Sequence, residues 1–291
     1  MNTLSADQMA IVLAFQKAEI TEYHIYSKLA GMRSAGSNAA LLGKIAEDEK
    51  LHSGIWKNYS GKDVSPDRFK IFWYYWIAHI FGLTFGVKLM ERGENKAQKN
   101  YGLLLSSIPE TKKIIDDENR HERQLLESIQ EEKLEYIGSV VLGLNDALVE
   151  LTGALAGLSF AMQNNRIIGF AGLITGIAAS FSMAASNYLS KKAEGDAHVA
   201  VKSALYTGMA YIFTVILLVM PYWIFSFYLY SLIGTLSIAV FIILIFNYYI
   251  AIAKDLEFKK RFFEMAGISL GVSAITFGIG WAVRKFMGIE V

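Results

Sequence analysis

The sequence contains no cysteine. Disulfides, thiolate metal sites, cysteine nucleophiles and four-cysteine iron centres are therefore excluded together. Proline occurs only three times in 291 residues, and 53% of the residues are hydrophobic, so long and largely apolar helices are expected. A formal net charge of +1 gives no support to nucleic acid or an acidic substrate as partner. No basic segment leads into a short apolar core near Met1, so a cleaved secretory signal is not expected. The charges that are present are unevenly spread. Residues 1–134 carry 36 charged side chains, 18 of each sign, whereas the longer stretch 135–291 carries 19. A soluble domain over 1–134 is thus expected to precede a lipid-facing domain over 135–291, the whole being all-α.

Five segments of the second domain reach the roughly 20 residues that a helix needs to cross a bilayer. They are expected near 136–161, 166–189, 202–225, 227–252 and 263–287. Only helices or closed barrels satisfy the backbone in lipid, and runs without alternation are helices. Lys191, Lys192 and Lys202 mark the second loop, and Lys254, Lys259, Lys260 and Arg261 the fourth. The first loop has only Arg166, and the third has aromatics but no charge: Tyr222, Trp223, Phe225, Phe227, Tyr228 and Tyr230. Basic loops stay inside, which predicts a cytoplasmic N-terminal domain and an outer C-terminus, against the pull of Arg284 and Lys285. A multi-pass protein of the cell membrane is the expectation. The first span holds Asn145, Asp146 and Glu150, and a carboxylate at that depth is functional by default. Met183 in the second span offers a thioether, which suits a transition metal better than magnesium or calcium.

In the first domain, helical periodicity predicts segments near 3–31, 37–60, 68–100 and 104–133, a four-helix bundle with short antiparallel connections. Steps of three and four place Phe15, Glu19, Glu22, Tyr26 and Leu29 on one face of the first helix. Leu42, Ile45, Glu49, His52, Trp56 and Tyr59 do the same in the second. The third has the stripe Trp76, Ile80, Leu83, Val87, Met90 and Glu94, with Glu91 one turn before, and the fourth Ile114, Glu118, His121 and Leu125. Carboxylates on four apolar faces are expensive unless a shared cation compensates them. Two Glu-x-x-His pairs, Glu49/His52 and Glu118/His121, alternate with single donors, Glu19 and Glu91 or Glu94. This is the donor pattern of ferritin-like carboxylate proteins. Glu22 is a further candidate, as ligand or neighbouring base. His24 and His79 find no second ligand, and the aromatic run 72–76 reads as core or dimer contact.

The first domain thus resembles rubrerythrins and other ferritin-like proteins. The resemblance lies in Glu19 with Tyr26 seven later, Glu49-Lys50-Leu51-His52, Glu91-Arg92-Gly93-Glu94 and Glu118-Asn119-Arg120-His121. The second resembles the vacuolar iron transporter family in Val141-Leu142-Gly143-Leu144-Asn145-Asp146, in Gly153 and Gly157, and in the run from Ser182 to Ser190. Together they look like the membrane-bound ferritin (erythrin-type) fusion. The resemblance implies a homodimeric, five-helix, proton-coupled antiporter of ferrous iron, often also of manganese, with Asp146 and Met183 facing the path. Two departures stand out. The family's Asn-Asp-Gly is Asn145-Asp146-Ala147, and its Glu before Tyr in the second span is Asn187. The resemblance also implies two iron or manganese ions in the bundle, and the bundle replaces the family's carboxylate-rich cytoplasmic insertion as metal collector. An alternative is a membrane-anchored di-iron ferroxidase or peroxidase, or a metal buffer, without transport.

Overall fold

The computed structural model describes residues 4–97, 104–105, 107–128, 136–195 and 197–287. Side chains at 94–97, 126–128 and 287 are outside that description. The chain divides into two compact units that part at residues 131/132. The expected boundary at 134/135 lies outside the described residues. Every regular element among the described residues is helical.

In the first unit, α1 (Ala6–Ala30) starts at a reciprocal cap. Ser5 Oγ accepts from the Gln8 amide, and Gln8 Oε1 accepts from the Ser5 amide, which satisfies donors that a helix start leaves open. A short 3-10 stretch, Arg33–Asn38, leads to α2 (Ala39–Ser60), which stops at Gly61 with φ 63°, a conformation glycine adopts without steric cost. Asp67 caps α3 (Arg68–Phe81) through the amides of Phe69 and Lys70. α4 (Leu83–Ala97) and α5 (Thr111–Ser128) complete the unit.

The helix expected over 68–100 is in fact two, because Gly82 at φ 100° and ψ 154° ends α3. The break is sharp enough to lay Gly86 against Ala78, where a Cβ on Gly86 would meet the Ala78 Cβ at 2.6 Å. It also splits the expected stripe. Leu83, Val87 and Met90 are buried, while Trp76 and Ile80 are 43% and 63% exposed. The aromatic run is divided: Tyr74 packs partly buried against the core, to which Ile71 and Ala78 also face, while Phe72 and Trp73 face out. The fourth segment is helical from Thr111, preceded by a turn that buries Leu104 and Ile108 against Phe15 and Trp56.

The second unit has five helices long and apolar enough to cross a membrane. They are α6 (Ile137–Met162), α7 (Asn165–Ala193), α8 (Ala197–Val219, extended by a turn at Pro221–Ile224), α9 (Tyr228–Ala253) and α10 (Phe258–Met287). These helices mark a multi-pass membrane protein. α8 and α10 begin earlier than apolarity alone suggested, because a helix continues past the hydrocarbon through polar turns such as Lys259–Arg261. α6 contains a widened π-type turn at Ala147–Leu151, directly after Asp146. Ser269 in α10 donates to the Leu148 carbonyl inside that turn, and Thr276 Oγ1 donates to the Gly153 carbonyl at 2.6 Å. Such bonds keep loosened backbone satisfied where water is absent. α6 and α10 touch backbone to backbone where Gly157 meets Gly280, a crossing that leaves no room for a Cβ.

Candidate metal centre and the polar span

Helix periodicity brings Glu19 from α1, Glu49 and His52 from α2, and Glu118 and His121 from α5 to one place, all at 7% exposure or less. Ligand-type atoms of Glu19, Glu49, His52 and Glu118 lie within 4.8 Å of one another, so this buried group can hold a metal ion. His52 Nδ1 is 3.1 Å from Glu118 Oε1, 3.3 Å from Glu49 Oε2 and 3.5 Å from Glu19 Oε2. One ring nitrogen carries at most one proton, so it cannot bond three carboxylates. His121 Nδ1 is 3.2 Å from Glu49 Oε1 and 4.0 Å from Glu118 Oε2. Glu49 and Glu118 therefore each present one oxygen to each histidine. Glu118 Oε1 and His121 Nδ1 are buried without an aligned hydrogen bond. Converging lone pairs that the protein does not satisfy are the chemistry of a cation site, and the donor set of carboxylate oxygen and imidazole nitrogen fits iron or manganese.

A surrounding layer orients these groups. His52 Nε2 faces Asp117 Oδ2 at 3.3 Å, and His121 Nε2 faces Asp48 Oδ2 at 2.9 Å. Each histidine is thus braced by the aspartate beside the other helix's glutamate, which turns both Nδ1 atoms inward. Arg120 joins the two braces, at 2.7 Å to Asp117 and 3.3 Å to Asp48. Neither Asp48 nor Asp117 lies on the apolar stripe that periodicity picks out in its helix. The available signal was the repeat Asp-Glu-x-x-His at 48–52 and 117–121. Trp56 Nε1 donates to Glu19 Oε1 at 3.1 Å, and the Tyr26 hydroxyl to Glu91 Oε1 at 2.6 Å.

Glu91 is partly buried at the edge of the cluster, and the Glu94 side chain lies outside the described residues. Burial pushes the Glu19 carboxyl up to about 7, against the pull of His52 and with the repulsion of Glu49. Glu91 also rises to about 7 through burial, opposed by the Tyr26 hydrogen bond and reinforced by Glu118, Glu122 and Glu49. Glu22 is raised well above its ordinary value by burial and then by the charges of Glu19, Glu49, Glu118 and Glu91, so it belongs to the same field. Burial raises Glu118 as well. Burial favours neutral histidines, but the surrounding carboxylates outweigh it and raise both His52 and His121. Asp117 is lowered: burial opposes the charge, and His52 with Arg120 prevails. His24 and His79 pack on aromatic rings, of Tyr23 and of Tyr75 and Trp76.

In the second unit, Asp146 and Glu150 lie within hydrogen-bonding reach of each other on α6. The Tyr211 hydroxyl donates to Glu150 Oε2 at 3.3 Å. Glu150 opens onto a cavity of about 390 Å³ lined also by Thr175, Gly176, Ala179 and Tyr211. Asn145 opens onto another, of about 200 Å³, between α6, α9 and α10. Met183 is half-buried against the apolar cluster around Leu144, Leu148 and Tyr211. Asn187 is buried, and its Nδ2 donates to Thr207 Oγ1 at 2.5 Å, which in turn donates to the Ser139 carbonyl at 3.0 Å. That chain ties α7 to α8 and α6.

No curated protein and no solved structure matches the chain. A family model does: that of the VIT family matches residues 137–201, from the start of α6 to the start of α8, consistent with a vacuolar iron transporter-type protein.

Proposed function

We propose that this chain exports ferrous iron or manganese from the cytoplasm in exchange for protons, with a ferritin-like di-metal domain that collects, senses or oxidises the same ion. The observation that carries the reading is one chain in which a VIT-type segment with an acid-bearing span follows a buried carboxylate–histidine cluster. In the cluster, Glu19, Glu49, His52, Glu118 and His121 would hold the ions, with Glu91 or Glu94 completing the set and Glu22 beside it. Two ions suit the way Glu49 and Glu118 each offer one oxygen to either histidine. Iron held there would supply redox chemistry toward oxygen or peroxide. Asp117 and Asp48 fix the imidazoles, and Trp56 and Tyr26 hold the carboxylates of Glu19 and Glu91 in place.

In the membrane unit, Asp146 accepts the ion when ionised and a proton otherwise, the least device that couples the two. Met183 and Glu150 attend the same path. The sequence carries Lys-rich second and fourth loops, which supports a cytoplasmic N-terminal unit in a cell membrane. Glu150 is exposed on the single chain although it sits in mid-span, and a second copy covering it would remove it from lipid, which supports a homodimer. The test is metal flux in proteoliposomes, iron against manganese, with and without a pH gradient. Asp146→Ala abolishes flux; normal transport by that variant ends the proposal.

A further inference from the structure

α6 stands between two cavities. On one side Glu150 faces α7 and α8 in the larger space with Tyr211 and Thr175. On another face, Asn145 looks into a separate space of about 200 Å³ that it shares with Asn247 of α9 and with Arg261, Glu264 and Met265 of α10. Residues five apart on α6 thus open onto different cavities. Alternating topology puts the start of α6, the end of α9 and the start of α10 on one membrane side. Asn145 and Asn247 lie about two helical turns from the ends of α6 and α9 on that side, and Glu264 follows the polar turn Lys259–Arg261 of α10 by about one turn.

We propose that Glu264 is the proton-carrying carboxylate of a second aqueous route, distinct from the metal path at Asp146 and Glu150. The inference rests on the proton-coupled reading above and deepens it. Glu264 is exposed on the single chain and lines this cavity, and neither it nor the cavity has a task in the metal path. The volume admits about six waters at roughly 30 Å³ each. Asn247 is buried, and its Nδ2 donates to the Ile243 carbonyl of its own helix at 2.8 Å, which leaves Oδ1 to accept from such water. Arg261 is the charged group that lines the cavity with Glu264, while α6 and α9 contribute the neutral amides of Asn145 and Asn247. A fixed guanidinium repels a divalent cation but does not stop a proton that travels on a carboxylate. Glu264 takes a proton from water at the open end and returns it to cavity water beside Asn145, with only O–H bonds exchanged.

The experiment uses the full chain in proteoliposomes loaded with a pH-sensitive dye, and manganese as the metal. Glu264→Gln is expected to retain downhill manganese flux, and to lose both its stimulation by a pH gradient and manganese-driven proton movement. Asn247→Leu narrows the same cavity without changing charge and should give the same uncoupling. Glu264→Asp should restore coupling in part. Unchanged coupling in both Glu264→Gln and Asn247→Leu overturns the assignment. So does equal loss of metal and proton flux in variants that elute like the wild type, since that places the cavity on the metal path. A wild-type protein with metal flux but no response to pH overturns the coupled reading and this inference with it.

Discussion

The cluster of the first unit makes the stability of the metal-free protein depend on pH in a definite direction. Glu19 is 2% exposed and its carboxyl is raised from 4.5 to about 7, chiefly by burial. The folded protein keeps that proton at pH values where the unfolded chain has released it. Folding therefore takes up a proton between 4.5 and about 7, and stability falls as pH rises through this window. At 1.36 kcal/mol per unit, the loss from this one group is about 3 kcal/mol. Glu91 titrates over the same window and adds to the fall. His52 and His121, whose folded values are raised above 6.5, hold stability that is lost as pH rises beyond it. Metal reverses the trend, because the ligands must release their protons to bind it. In a thermal melt of the chelator-treated full chain in detergent, the first unit should melt at lower temperature as pH goes from 4.5 to about 7. Added manganese should raise that temperature more at the upper end of the window. Glu19→Gln removes the titration and keeps an acceptor for Trp56. The metal-free variant should gain up to about 3 kcal/mol over the wild type near neutral pH and respond weakly to manganese. A wild-type protein whose metal-free stability rises over this window, or a Glu19→Gln protein no more stable than it, would refute the reasoning.

Other outcomes follow from the same geometry. Asp48→Asn or Asp117→Asn removes the charge behind one imidazole and should weaken metal binding about 10- to 100-fold by titration calorimetry, with the helix content unchanged. The double variant should exceed either single one, since each brace serves a different histidine. Trp56→Phe preserves the ring contact with Phe15 but deletes the hydrogen bond to Glu19, which should cost about 1 kcal/mol in a metal-free melt. Gly280→Ala forces α10 away from the Gly157 backbone and should lower the melting temperature of the membrane unit, at a cost of about 1–3 kcal/mol. A melt indistinguishable from wild type would show that the two helices do not meet there.

Local patterns carried much of this. Run length alone finds candidate spans, because a helix must cross a fixed thickness of hydrocarbon, and five helices long and apolar enough to cross a membrane overlap the apolar runs, with α8 and α10 beginning earlier. A period of 3.6 residues places Glu19, Glu49, His52, Glu118 and His121 on inward faces, and burial of these faces is what then gathers them. Periodicity is blind to a single residue that changes the chain's direction. Gly82 turns one expected helix into two, and sends Trp76 and Ile80 outward while Leu83 and Val87 remain in the core.

The sequence by itself determined on which helices the carboxylates and histidines ride and which of them share an inward face, since those are matters of residue type and spacing. Only the tertiary structure decided their partners. Asp48 braces His121 and Asp117 braces His52 across the gap between α2 and α5. Asn187 is spent on Thr207. Asn145 and Glu150, five residues apart on one helix, open onto different cavities. Contacts between helices depend on how the helices cross, and side-chain spacing along any one of them holds no record of that.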